Sequence, residues 1–199
     1  MGNVFHTIII GAGQAGLSAG YYLKQQAIKF LVIEKEAKVG NQWRKRFKSL
    51  TLFTPNNMNT LPGFSMPVSN GSYQTKDEFA DYLYQYSQVN NLPIKLSTNV
   101  IEIARQASGD YKITTNNQTY ITTHIIMATG AFKDIAIPEL AQNYAGKQLT
   151  INQLSNTQLH DNRVLVVGDG ASGRQVAKLL SENNSVCLAQ GKPRHLVKE

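Results

Sequence analysis

A single cysteine, Cys187, stands in the 199 residues of this chain. That excludes an internal disulfide, a C-x-x-C redox pair and a thiolate-rich zinc site, and it fits a reducing compartment. No stretch approaches the roughly 20 consecutive apolar residues that a membrane-crossing helix needs. The N-terminus also lacks the charged, apolar and small-residue succession of a secretory leader, so the expectation is a cytoplasmic protein with no membrane partner. Histidine is scarce as well. His6, His124, His160 and His195 lie far apart in the chain with no evident partners, so no catalytic residue and no metal site is assigned.

What the chain has instead is order. Phe5 to Ile10 form a short apolar run, and Ala15, Ala19 and Leu23 then recur at steps of four, the helical period. Lys29 to Glu34, KFLVIE, is a second run of the kind that fills a buried parallel strand. Strand, glycine turn, helix and strand together make a βαβ unit. A loop-rich region from Lys35 to Gly71 follows, punctuated by Pro, Asn and Gly in FTPNNMNTLPGF. Thr75 stands three residues before Glu78, the spacing of a helix capping box. Phe79, Tyr82, Leu83 and Tyr86 then share one helical face that reads as core.

Segments from Asn99, Asp110 and Thr119 read as three strands of an antiparallel meander, with Ser108-Gly109-Asp110 and Asn116-Asn117 as its turns. The last segment becomes continuously apolar from Ile125 to Ala128, which predicts that it finishes inside the parallel sheet. After a linker-like stretch the opening pattern returns. NRVLVVGDGASGRQVAKLLSENNSVCLAQG again runs strand, G-x-G-x-x-G, helix, strand, an internal repeat of one supersecondary unit.

Each G-x-G-x-x-G follows an apolar strand and opens a helix, the context in which the motif acquires physical meaning. Gly11 and Gly168 serve the tight turn, and Gly13 and Gly170 let the backbone approach a pyrophosphate. Gly16 and Gly173 let the helix pack close to the strand, while the helix N-terminus offers unpaired N–H groups. The end of each second strand then distinguishes nucleotides. Glu34 ends the first, where a carboxylate accepts from ribose hydroxyls and repels a 2′-phosphate, so FAD or NAD fits there. In the second copy the matching place is near Gln190, with no carboxylate, and Lys192 and Arg194 follow. Those cations either suit a ribose 2′-phosphate or are ordinary surface charge. The fold class read from this pattern is α/β: a Rossmann-like FAD-binding domain with an antiparallel β-meander, then an incomplete second βαβ unit. The boundaries are 1–150 and 151–199, the latter an NAD(P)H-binding unit.

Acidic residues are fewer than basic ones, 13 against 20, for a net charge of +7. That excess raises the question of a polyanionic partner. Its densest part is WRKRFK, Trp43 to Lys48. Without a recognisable nucleic-acid-binding module, the patch reads as a solvated loop whose cations balance cofactor phosphates, and nucleic acid is not the expected partner.

With these residues in view, the sequence resembles the flavin-containing monooxygenase-like flavoproteins of the two-dinucleotide-binding-domain superfamily. The resemblance is carried by IIIGAGQAGLSAGYYL, VIEKEAKVGNQWRKRF, LTLFTP, YQTKDEFADYL, IIMATG and VLVVGDGASG. It implies FAD contacts at Gly11, Gly13, Gln14 and Ala15 around the pyrophosphate, and at Glu34 and Lys35 around the ribose. It places Gln42 and Trp43 on the flavin side, Val100 at the adenine, and Ala128, Thr129 and Gly130 beside the cofactor. For NADPH it implies Gly168, Gly170, Ser172 and Gly173. The loop Phe53–Asn59 is placed nearest the flavin ring on resemblance alone.

The sequence departs from the family's pattern F-x-G-x-x-x-H-x-x-x-F/Y. In YAGKQLTINQL, Tyr144 and Gly146 keep it, but Thr150 replaces the histidine and Leu154 the terminal aromatic. The chain also reads as an N-terminal portion of a family member, so a second copy or a partner chain is expected to cover the incomplete unit. The function implied is an FAD-dependent oxidoreductase, reduced by NADPH and acting on a small-molecule substrate. The alternatives are a non-catalytic or remnant FAD-binding protein, and a basic nucleotide or nucleic-acid binder. A disulfide reductase is disfavoured by the lone Cys187.

Overall fold

The computed structural model describes residues 3–66, 73–131, 137–154 and 159–191. The chain forms two compact units, one from Met1–Arg46 with Thr51–Lys147, the other from Gln148–Glu199 with the short segment Phe47–Leu50.

The first unit opens with β1 (Val4–Ile10), α1 (Gln14–Gln25) and β2 (Phe30–Ile33), followed by α2 (Asn41–Arg44) and α3 (Lys76–Val89). Then come β3 (Ile94–Lys95), β4 (Val100–Arg105), β5 (Tyr111–Thr115), β6 (Thr119–Met127) and the short α4 (Glu139–Gln142). The strands make one six-stranded sheet in the order β3-β2-β1-β6-β5-β4. β1 pairs in parallel with β2 and with β6, whereas β4-β5 and β5-β6 are antiparallel. The predicted meander is therefore present, and β6 does finish beside β1. Its first half pairs with β5 and most of its length with β1, from Ile121 opposite Val4 to Met127 opposite Ile10.

Burial follows from that position. Ile8, Ile9 and Ile10 at the sheet centre are buried, and Ile8, Ile10 and Ile33 join Ile113 and Tyr120 of the meander in one apolar cluster. On α1 the buried residues are Gly16, Leu17 and Gly20, so the Ala15, Ala19, Leu23 stripe borders the packed face instead of centring it. The reason is steric: the two glycines carry no side chain and let the helix approach the sheet most closely on their side. The short β3 went unrecognised in the sequence. Its two residues are defined by pairing with β2, including Glu34 N–H to the Lys95 carbonyl at 2.9 Å.

The capping box of α3 is formed as the spacing predicts. Glu78 N–H donates to Thr75 Oγ1 at 3.2 Å, and Thr75 N–H donates to Glu78 Oε2 at 2.8 Å. Phe79, Tyr82, Leu83 and Tyr86 are all buried. Tyr82 and Tyr86 also fasten the preceding loop to α3. The Tyr82 hydroxyl donates to the Phe64 carbonyl at 2.8 Å and accepts from Leu61 N–H at 2.6 Å, and the Tyr86 hydroxyl donates to the Pro62 carbonyl at 2.7 Å. Burial raises the pKa of both phenols, which keeps both as donors.

The second unit contains α5 (Ile151–Leu154), β7 (Arg163–Val167), α6 (Ala171–Leu180) and β8 (Ser185–Ala189). β7 and β8 pair in parallel, from Arg163 opposite Ser185 to Val167 opposite Ala189. This sheet is thin. Leu165 is 61% exposed and Val167 53%, and Val176 is the buried residue of α6. Among the described residues no helix is long and apolar enough to cross a membrane.

Gly40 is the point where α2 meets α3. Its φ of 85° is left-handed, and a methyl group there would overlap the Ala80 carbonyl. Gly40→Ala is expected to destabilise the chain by about 2–4 kcal/mol, left-handed strain plus overlap. Urea unfolding checks this, and an unchanged midpoint would show that α2 does not depend on this contact.

Candidate functional site

The first glycine loop sits where β1 ends. Gly11 N–H donates to the Ile33 carbonyl at 2.8 Å, and Ala128 N–H donates to the Ile10 carbonyl at 2.9 Å. The ends of β1, β2 and β6 are thereby tied together. Gly11 has φ 106°, and any Cβ on it would overlap the Ala128 carbonyl. A Cβ at Gly16 would in turn overlap the Gly11 carbonyl. Only glycine lets the chain turn at once and lay α1 back over the strand.

That geometry leaves donors pointing outward. Leu17 N–H makes the first intrahelical bond, to the Gly13 carbonyl at 2.9 Å. The N–H groups of Gln14, Ala15 and Gly16 therefore have no intrahelical acceptor. Gly13 is the N-cap with no side-chain cap, and no acidic residue occupies the first turn. Beside Gly13 a Cβ would meet nothing within 4 Å. Free donors, positive helix-end potential and open space are what an anion such as a pyrophosphate requires.

Glu34 braces the loop. Its Oε2 accepts from Ala12 N–H at 2.7 Å, and its Oε1 accepts from Glu36 N–H at 2.9 Å. Each oxygen retains a further acceptor direction for a ribose hydroxyl. The same strand exit is bonded to the chain before β4. Thr98 N–H donates to the Glu34 carbonyl at 2.9 Å and Ser97 N–H to the Glu36 carbonyl at 3.0 Å, which sets Val100 two residues beyond. Gly11, Ala12, Glu34, Ala128 and Thr129 thus converge at the carboxyl ends of three parallel strands, where ligands of open α/β sheets bind. The tie between Glu34 and Ala12 was not legible in the sequence, because 22 residues separate them.

Lys35, Thr129 and Gly130 are exposed. Trp43 is half-buried, its ring edge against Phe79 with centroids 4.9 Å apart, and Gln42 beside it is exposed. The basic patch carries ion pairs of its own. Arg44 is ion-paired to Asp81, and Lys45 Nζ lies 2.7 Å from each Glu36 oxygen, so these two cations are already engaged by carboxylates. His6 and His124 stack with ring centroids 4.7 Å apart, both exposed. Among the described residues no group of three or more His, Cys, Asp or Glu is placed to hold a metal.

The second loop repeats the first. Gly168 has φ 104° and its N–H donates to the Ala189 carbonyl at 3.1 Å. Gly173 packs where a Cβ would overlap the Gly168 carbonyl, and Arg174 N–H makes the first α6 bond, to the Gly170 carbonyl at 3.0 Å. The N–H groups of Ala171, Ser172 and Gly173 are the free ones here. Lys192 and Arg194 lie outside the described residues.

The profile of the pyridine nucleotide-disulphide oxidoreductase family matches residues 8–195, which takes in both glycine loops. The chain belongs to this family. An uncharacterized oxidoreductase, CzcO-like, of Geobacillus kaustophilus is 42% identical over 96% of this chain and 56% of its own length. A probable indole-3-pyruvate monooxygenase, YUCCA9, of Arabidopsis thaliana is 31% identical over 90% of this chain and 45% of its own. A double mutant of a flavin monooxygenase from Stenotrophomonas maltophilia superposes with a TM-score of 0.89 at 28% identity, over 98% of this chain and 60% of that one. The family is thus flavin monooxygenase-like on its nearer side, and the chain spans about half the length of the curated relatives it matches.

Removing the brace tests the site's architecture. Glu34→Ala leaves the N–H groups of Ala12 and Glu36 without their carboxylate, and is expected to cost about 1–3 kcal/mol of stability. Chemical denaturation reads this directly. A variant as stable as the parent would mean that the loop is held without Glu34.

Proposed function

We propose that this chain is the nucleotide-binding part of a flavin-dependent oxidoreductase of the monooxygenase-like type, with FAD held by the first unit and a nicotinamide nucleotide by the second. The observation that carries the reading is the uncapped N-terminus of α1, set against the carboxyl ends of β1, β2 and β6 with Glu34 at the neighbouring strand end. Its similarity to oxidoreductases and monooxygenases supports it.

In this reading the chain's own residues bind and orient. The N–H groups of Gln14, Ala15 and Gly16 take the pyrophosphate, and Glu34 accepts from ribose hydroxyls while holding Ala12 in place. Ala128 and Thr129 line the side opposite Glu34, Val100 stands near the adenine, and Gln42 and Trp43 face the flavin end. Gly168, Gly170, Ser172 and Gly173 serve the second nucleotide. FAD, when bound, supplies the hydride-accepting and electron-carrying chemistry. Where the family pattern has its histidine, Thr150 instead starts α5, its N–H and its hydroxyl both donating to Gln153 Oε1 at 2.9 Å. The side chain at that position serves a helix end, so the proposal assigns oxidation by flavin and leaves oxygen transfer out.

The test is visible absorption of the purified chain after incubation with FAD and gel filtration. Bound flavin bands are expected. Gly13→Val fills the open space beside the helix end and should weaken FAD binding by at least about tenfold without changing far-UV circular dichroism. A chain that stays colourless with FAD, or a Gly13→Val chain that stays yellow, overturns the assignment.

A further inference from the structure

Two histidines stand together on neighbouring strands of the first unit. Thr7 of β1 is in register with His124 of β6, so His6 and His124 are diagonal neighbours across the parallel pair. Both are exposed, and their rings lie 4.7 Å apart at an angle of 24°. Neither belongs to the proposed nucleotide sites, because His6 lies in the first half of β1 and the glycine loop follows the last residue of that strand.

Buried hydroxyls hold the pair in place. Thr122 is fully buried, and its Oγ1 lies 3.1 Å from the His6 carbonyl and 3.0 Å from the His124 carbonyl, so one side chain ties the backbone of both histidines. Thr7 is buried too, and its Oγ1 lies 2.9 Å from His6 Nδ1. With Nδ1–H donating to that oxygen, Nε2 keeps its lone pair, the arrangement of a metal-binding imidazole whose second nitrogen is held by the protein.

The spacing suits a chelate. An imidazole nitrogen binds a transition-metal ion at about 2.0–2.1 Å, which sets the ring centre about 3.2 Å from the ion. Two rings at neighbouring coordination positions then stand about 4.5–5.2 Å apart. The observed 4.7 Å falls in that range. The near-parallel rings reach a common ion when the exposed His124 ring turns about its Cβ–Cγ bond, a soft torsion that swings the nitrogens and barely moves the ring centre.

We propose that His6 and His124 form a bidentate site for a divalent transition-metal ion such as Ni²⁺ or Zn²⁺, with water completing the coordination. Among the described residues no third His, Cys, Asp or Glu joins them, so the protein donors are two neutral imidazole nitrogens. Such a set suits ions of this class and offers nothing to oxygen-seeking Mg²⁺.

Calorimetric titration of the full chain with Ni²⁺ tests the site, in a Cys187→Ser background so that the exposed thiol does not compete. One ion per chain is expected to bind saturably, and Mg²⁺ not at all. His6→Ala and His124→Ala should each weaken Ni²⁺ binding by at least about tenfold with unchanged far-UV circular dichroism, and the double variant should weaken it no further, since either loss already removes the chelate. Thr7→Val, close in shape, should keep both rings and weaken binding severalfold by releasing Nδ1. No saturable Ni²⁺ binding by the folded chain, an unchanged affinity in either histidine variant, or losses that simply add in the double variant would overturn the site.

Discussion

The candidate site depends on how closely β1 and β6 bring their ends together. Ala128 is hydrogen-bonded to the last residue of β1, and its carbonyl occupies the place where any residue but glycine at position 11 would put its Cβ. The chain must therefore turn immediately, and the helix that follows begins at the end of the strand, with its free N–H groups over the carboxyl end of the sheet. Gly16 then rests on the Gly11 carbonyl, so turn, helix and sheet are one steric solution.

Carboxylates hold the surroundings of that turn. Glu34 ties the loop to the exit of β2, and Glu36, two residues on, pairs with Lys45 just past α2. α2 is in turn seated on α3 through Gly40 and through the edge contact of Trp43 with Phe79. A linked series of local contacts thus runs from the glycine loop to the helix that carries the aromatic core. An exposed ion pair such as Lys45 with Glu36 is worth little alone. Its part here is to keep the segment between Lys35 and Arg46 near the strand exit.

The second unit uses the same turn with far less burial behind it. Gly173 rests on the Gly168 carbonyl as Gly16 does on that of Gly11, yet a Cβ on Gly168 would meet nothing within 4 Å, and Leu165 and Val167 stand in solvent. Sheets of two strands contribute little stability on their own. The recognition geometry of a glycine loop is local and is retained even so, because it needs only one strand end and one helix start. A shallow polar groove lined by His160, Asp161, Arg163 and Asn183 lies where β7 begins, the opposite end from the glycine loop. Ligands of open α/β sheets bind beyond the strands' carboxyl ends, so the loop and not this groove is the site to test.

The two glycine loops, Glu34 at its strand end, the capping box and apolar face of α3, and the meander ending in the parallel sheet were all legible in the sequence. Each is a matter of periodicity, turn residues or spacing within a few positions, and such patterns have few physical solutions. Tertiary structure alone decided the rest. The strand β3 exists because β2 offers an edge, and the packed face of α1 is centred on glycines that carry no apolar signal. Arg44 faces Asp81, which stands 37 positions away, and Asp169 meets Gly191 across 22. A carboxylate's local sequence says that it will seek donors or cations, but the partner it finds is whichever group the folded sheet places within reach.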